Sequence, residues 1–175
     1  MNKKIPYLET YIRPIEDFPK QGILFQDITP LLNNAQAFAT AIDELVALTQ
    51  DIPFDKIGAF DARGFLFGPT MAYATRKPFF PLRKPGKLPY TTITEDYGLE
   101  YGTNTLAIHI DAIHRGERIL LVDDVLATGG TMQAGCKLVK QLEGIVAGCC
   151  TLVELPALKG REKLNGYDVR SLLTY

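Results

Sequence analysis

Between Ile119 and Met132 the chain reads ILLVDDVLATGGTM, a stretch in which several residues could do chemistry together. Asp123 and Asp124 are adjacent carboxylates at the end of an apolar run, and Ala127 to Thr131 then set a Gly-Gly pair between two threonines. Glycines let successive backbone N–H groups turn inward, and a helix start adds partial positive charge. With Thr128 and Thr131 as hydroxyl donors beside Gly129 and Gly130, this is a cradle for a phosphate monoester. Carboxylates touching that phosphate would repel it, so they need another task on the same ligand. A phosphorylated sugar supplies one, with phosphate in the loop and ring hydroxyls donating to the aspartates. Each such charge-assisted bond contributes roughly 1.5–3 kcal/mol. The plain alternative is a solvated strand end followed by a tight turn. It suits an isolated T-G-G-T better than it suits strand, paired acids and glycines in one register.

The elements around this stretch must hold it in place. ILLV is a continuous apolar run of the kind that lies inside a parallel sheet, and ligands of such sheets sit beyond the carboxyl ends of the strands. After the glycines, Met132, Cys136, Val139 and Leu142 share one helical face, and the helix stops at Gly144. IVAGCCTLVEL reads as the next buried strand. Upstream, Phe38, Ile42, Leu45 and Val46 mark an amphipathic helix that Asn33 or Asn34 can cap. KIGAFDARG reads as a strand breaking at Asp61, FLFGPTMAYATR as a helix, KPFFPLRK as a short strand weakened by Pro81, and TLAIHID as a strand. Strands alternating with helices imply an α/β fold with a mostly parallel central sheet flanked by helices. From Arg83 to Gly102 the pattern fails: the segment has two prolines, three glycines and no sustained period. A stretch that long is expected to be a functional loop, here a flexible lid over residues 83–102.

The chain has 175 residues, 46% of them hydrophobic and 22% charged, which suits one soluble globular domain. A net charge of −1 gives no field to recruit nucleic acid or an anionic membrane, so an anion site has to be local. No apolar segment is long enough to span a bilayer, and no secretory h-region follows Lys3 and Lys4. Cys136, Cys149 and Cys150 sit in apolar runs and read as buried reduced thiols, so a cytoplasmic location is expected. His109 and His114 are not at metal-ligand spacing. Arg83, Lys84 and Lys87 alone would read as a solvated edge, but at the root of a lid they could meet a polyanionic substrate.

LLVDDVLATGGT resembles the phosphoribosyl pyrophosphate (PRPP) signature of the type I phosphoribosyltransferases. GILFQDITPLL, DARGFLFGP, RKPGKLP, DYGLEYGTNTLAIHIDAI and LVELPALKGREKL are similar, in order, to segments of the adenine-specific branch of that family. Together they span nearly the whole chain, about Phe18 to Leu164. The resemblance implies a single type I phosphoribosyltransferase domain over residues 1–175, with a small N-terminal base-binding hood (1–34). It also implies transfer of a phosphoribosyl group from PRPP to adenine, giving AMP and pyrophosphate. Mg²⁺ would be the cofactor, carried by PRPP without direct protein ligands.

Residue by residue, the resemblance gives Ala127, Thr128, Gly129, Gly130 and Thr131 the ribose phosphate, and Asp123 and Asp124 the ribose hydroxyls. Asp61, Ala62, Arg63 and Gly64 match the pyrophosphate loop, where a cis peptide at Asp61–Ala62 is expected. Taken alone, Arg63 could instead form a surface ion pair with Asp61. Arg83, Lys84 and Lys87 join the pyrophosphate side, and the position of Arg83 implies reach into a neighbouring subunit, hence a homodimer. Glu100 occupies the catalytic position, with Tyr101 and Arg63 assisting, although Glu100 alone would pass for an exposed loop glutamate. Leu24, Phe25, Gln26 and Leu155 are assigned to adenine. Phe25 and Leu155 serve core packing almost as well as base stacking, and Gln26 stands where a basic residue is frequent. Asp27 reads as an anchor for its loop.

Two other readings are open to discrimination. A PRPP-sensing regulator that had lost catalysis would lack the lid glutamate or carry a DNA-binding module. An enzyme for a 6-oxopurine would need a donor, often a lysine, near the exocyclic oxygen, and none is evident at Val153–Leu155.

Overall fold

The computed structural model describes residues 6–99 and 102–175, which divide into two compact units, one ending at Glu44 and one spanning Leu45–Tyr175. In chain order the first carries α1 (Pro6–Glu9), β1 (Arg13–Ile15), β2 (Phe25–Asp27) and α2 (Thr29–Leu32). β1 and β2 form an antiparallel pair with Ile15 opposite Phe25. Asp27 holds this unit together as expected, accepting bonds from Arg13 at 2.6 Å, the Thr29 hydroxyl at 2.6 Å and the Thr29 amide at 2.9 Å. The Thr29 hydroxyl and amide, then Arg13, pull the Asp27 carboxyl down to about 2. α3 (Ala35–Leu48) follows, and the Ala37 amide donates to Asn34 Oδ1 at 2.9 Å, so Asn34 is its cap.

The second unit continues with β3 (Lys56–Phe60), α4 (Gly64–Thr75), β4 (Phe79–Leu82), β5 (Thr92–Leu99), β6 (Gly102–His109), β7 (Arg118–Leu126), α5 (Gly130–Gln141), β8 (Ile145–Glu154) and β9 (Val169–Thr174). Five strands form one sheet in the order β4-β3-β7-β8-β9, and all its neighbours are parallel. Pro81 is tolerated because β4 is an edge strand, where its missing N–H breaks no ladder on the outer side. Ile119, Leu120, Leu121 and Val122 of β7 are fully buried, each worth roughly 1.5–3 kcal/mol, and they fix the strand that ends in the paired acids. Cys136 of α5 and Cys149 of β8 lie in the same core, with Sγ atoms 3.7 Å apart, and all three cysteines are free and buried.

Residues 83–102 are not structureless throughout. Thr92–Leu99 pairs antiparallel with Gly102–His109 in a two-stranded ribbon, with Thr92 opposite His109 and Asp96 opposite Thr105. One face of β5 carries Ile93, Glu95 and Tyr97, with Ile93 and Tyr97 packed on the core, and the other carries exposed Thr94, Asp96 and Gly98, so Glu95 is what blurs the alternation.

Candidate functional site

β3 and β7 are neighbours, but the chain leaves β3 toward β4 and leaves β7 toward β8 and β9. The crevice between their carboxyl ends is therefore a topological switch point, where an open parallel sheet binds ligands. Pairing of β3 with β7 ends at Ala59–Val122, so Asp123 and Asp124 lie on a length of β7 that overhangs β3. Side chains adjacent on a strand point to opposite faces, yet here both face one cavity, because the overhang leaves space on both sides. That cavity has a volume of about 370 Å³. It brings together Asp61, Ala62 and Arg63 after β3, Asp123 and Asp124 on β7, and Ala127 to Thr131 before α5.

The Asp61–Ala62 peptide is cis, as expected from the DARG motif. The ion pairs differ from the simple alternative raised for Arg63. Its Nε lies 2.8 Å from Asp124 Oδ2, whereas Asp61 is bound by Arg83 Nε, also at 2.8 Å. Arg83 also donates to the Lys87 carbonyl at 3.1 Å, while Lys84 and Lys87 themselves are exposed. Gly64 sits directly behind the acids: a Cβ there would stand 2.9 Å from Asp123 Oδ1 and 3.0 Å from the Val122 carbonyl oxygen. The Asp124 amide donates to Asp123 Oδ1 at 2.9 Å. Burial, and then the neighbouring Asp124 charge, push the Asp123 carboxyl well above the usual carboxylate range. Burial also raises Asp124, against the opposing pull of Arg63.

The glycine pair stands at the start of α5. Gly129 has φ +77° and caps α5, whose first turn closes when the Gln133 amide donates to the Gly129 carbonyl at 2.9 Å. Tyr97, on the ribbon, also lines the cavity, and a Cβ on Gly130 would come within 3.3 Å of its ring. Tyr97 was missed in the sequence because its strand was, and Val125, Leu126 and Met132 because they read only as core.

Glu100 and Tyr101 lie outside the described residues. Phe25 is half-buried on β2 and meets Phe18 edge-on at 5.2 Å, and Leu24 beside it is exposed. Gln26 Oε1 is buried with no hydrogen-bond partner. Leu155 is half-buried just past β8, its amide donating to the Leu126 carbonyl at 3.0 Å. His109 Nε2 accepts from the Tyr90 amide at 3.3 Å, a structural task. Among the described residues no group of three or more His, Cys, Asp or Glu could hold a metal, and no helix is long and apolar enough to cross a membrane.

Residues 30–173 match the phosphoribosyl transferase domain family. The chain is 57% identical over 168 residues to the adenine phosphoribosyltransferase of Pseudothermotoga lettingae, covering 96% of this chain and 99% of that one. It is similar to the crystal structure of adenine phosphoribosyltransferase from Thermoanaerobacter pseudethanolicus, with TM-score 0.95 and 50% identity, covering 98% of this chain and all of that one (100%). It is also similar to the Saccharomyces cerevisiae enzyme complexed with an imino-altritol bisphosphate and adenine, with TM-score 0.89 and 38% identity over 95% of this chain and 97% of that one.

Proposed function

Because this chain belongs to the phosphoribosyltransferase family, we infer that it transfers the phosphoribosyl group of PRPP to adenine, giving AMP and pyrophosphate in purine salvage. The observation that carries this reading is the single cavity in which a glycine cradle, two sunken acids and the Asp61–Arg63 loop meet.

In the reaction the bond from the ribose anomeric carbon to pyrophosphate breaks, and a bond from that carbon to adenine N9 forms. The Ala127–Thr131 loop holds the 5-phosphate with backbone amides and the Thr128 and Thr131 hydroxyls. Asp123 and Asp124 accept from the ribose hydroxyls and so fix the ring as positive charge develops on it. The loop of Asp61, Ala62, Arg63 and Gly64 faces the leaving pyrophosphate, where the planar guanidinium of Arg63 suits phosphate oxygens. Arg83, with Lys84 and Lys87 behind it, adds positive charge on the same side. Glu100 takes the N9 proton of adenine, and Tyr101 closes beside it with the lid, keeping out water that would capture the cation. Phe25 and Leu155 sandwich the base, and backbone groups at Leu24 and Gln26 read its edge.

The oxygen-rich chemistry of the cavity also fits Mg²⁺, an ion commonly held by one or two carboxylates plus substrate phosphates. Bound with PRPP, it would neutralise charge on the departing pyrophosphate. It would be carried by PRPP, through phosphate and ribose oxygens and water, with no direct protein ligand. The reading extends to a homodimer and a cytoplasmic location, the latter supported by three unpaired thiols.

The test is to offer adenine, hypoxanthine, guanine and uracil separately with PRPP and Mg²⁺ and to identify the nucleotide formed. AMP from adenine alone is expected. A nucleotide formed from another base in preference would overturn the assignment.

A further inference from the structure

The cradle is braced from behind by a residue in none of the motifs that line it. Gly160 is buried in the segment that follows β8, and it meets the loop backbone to backbone. A Cβ on Gly160 would lie 2.9 Å from the Gly129 nitrogen, 3.0 Å from the Ala127 carbonyl carbon and nearer still to the Ala127 oxygen. The contact is reciprocal, since a Cβ on Gly129 would lie 3.0 Å from both the Cα and the carbonyl carbon of Gly160. No side-chain rotation relieves either overlap, because the opposing atoms are main chain. Lys159, at φ +55°, turns the chain into this contact, a left-handed conformation uncommon for a side-chain-bearing residue.

The segment is also tied down on both sides. Arg161 donates to Glu154 through Nε at 2.9 Å and Nη2 at 2.5 Å, and to the Val169 carbonyl at 2.7 Å. Gln133, on the helix that the cradle opens, donates to the Lys163 carbonyl at 3.1 Å. Gly160 is thereby anchored to the end of the sheet and to α5 at once.

We propose that Gly160 is a positioning residue of the phosphate site: its bare α-carbon sets where the Ala127–Thr131 backbone stands, and so how tightly the site grips the 5-phosphate. The proposal rests on the reading that this loop holds that phosphate. It predicts that Gly160→Ala raises the KM for PRPP by about ten-fold or more while kcat at saturating PRPP stays within about three-fold.

Gly144→Ala is the control. Its Cβ would press on Ile113 Cγ2 at 2.8 Å, just beyond the opposite end of α5, and should lower Tm without moving the KM for PRPP. Should Gly160→Ala not fold, Arg161→Met decides, because that side chain is half exposed and its loss only loosens the segment. Its expected effect is a rise of about three-fold in the KM for PRPP. A folded Gly160→Ala with the wild-type KM, or an Arg161→Met with the wild-type KM where Gly160→Ala does not fold, overturns the proposal. A wild-type chain that makes no AMP overturns the functional reading and this inference together.

Discussion

The two walls of the cavity are built by different means. On the cradle side Gly129 meets Gly160 main chain against main chain, and Gly64 lies against the Val122 carbonyl and the Asp123 carboxylate. Behind it stands a strand whose four central side chains have no exposure. On the ribbon side, β5 lies outside the five-stranded sheet. Its side-chain ties are Glu95 to Lys137 and to Gln141, each at 2.8 Å, and Asp96 to Thr105 at 2.6 Å. A phosphate is best held by dipoles that need not reorganise when it arrives. A proton acceptor for the base is needed only once both substrates are in place, and a lighter structure can carry it. In the proposed function the cradle is accordingly assigned to grip, and Glu100 to chemistry.

The sharpest way to break that division is Glu100→Ala. With PRPP affinity unchanged by calorimetry, kcat should fall by about 10²–10⁴, the usual contribution of a positioned general base. A variant that turned over at the wild-type rate would take the proton transfer away from Glu100. The comparison would then reduce to a grip with no separate chemical wall.

Asp123→Asn tests the cradle side and separates grip from stability. Losing one charge-assisted bond to ribose should cost about 1.5–3 kcal/mol of PRPP binding, measured by calorimetry. The unliganded fold should respond the other way. Burial raises the Asp123 carboxyl, so the folded state holds this proton more tightly than the unfolded one. The stabilising contribution is therefore complete below the ordinary carboxylate value and is lost as pH rises from about 4 through the raised value. Asparagine removes that loss, and the variant should be more stable than the wild type at neutral pH in denaturant titrations without ligand. A variant less stable than the wild type at neutral pH would mean that the acid serves the fold and not the ligand.

How much of each wall could be read from the sequence follows the same contrast. The cradle was legible because its chemistry is local: strand, acids and glycines are contiguous from Ile119 to Thr131, and each residue type is there for a stated reason. DARG was legible through the family resemblance, which implies the cis Asp61–Ala62 peptide that the structure has. What failed was non-local. The partner of Arg63 is Asp124, brought near by the β3–β7 register, and that of Asp61 is Arg83, brought near by the β3–β4 register. Gly160 lies inside the LVELPALKGREKL segment, but the motif gives it no task, since its role lies in what a Cβ would strike. β5 was hidden because Glu95 interrupts the apolar face that Ile93 and Tyr97 share.

The smallest expected effect bears on the ribbon's ties. Glu95→Gln removes the charge facing Lys137, whose side chain is half exposed, and such a pair contributes only about 0–1 kcal/mol. The Gln141 contact could persist to a neutral amide oxygen, and the β5–β6 ladder from Thr92 to Leu99 is untouched. Thermal unfolding should therefore shift by at most a few degrees, and the shift should vanish in about 1 M salt, where the Debye length is near 3 Å. The KM for PRPP should not move, because Glu95 binds α5 through Lys137 and Gln141, more than a turn beyond the cradle end. If instead PRPP binding weakened as much as it does when the Gly129–Gly160 contact is disturbed, the ribbon would be part of the grip. The contrast between a fixed wall and an adaptable one would then fail at its cheapest point.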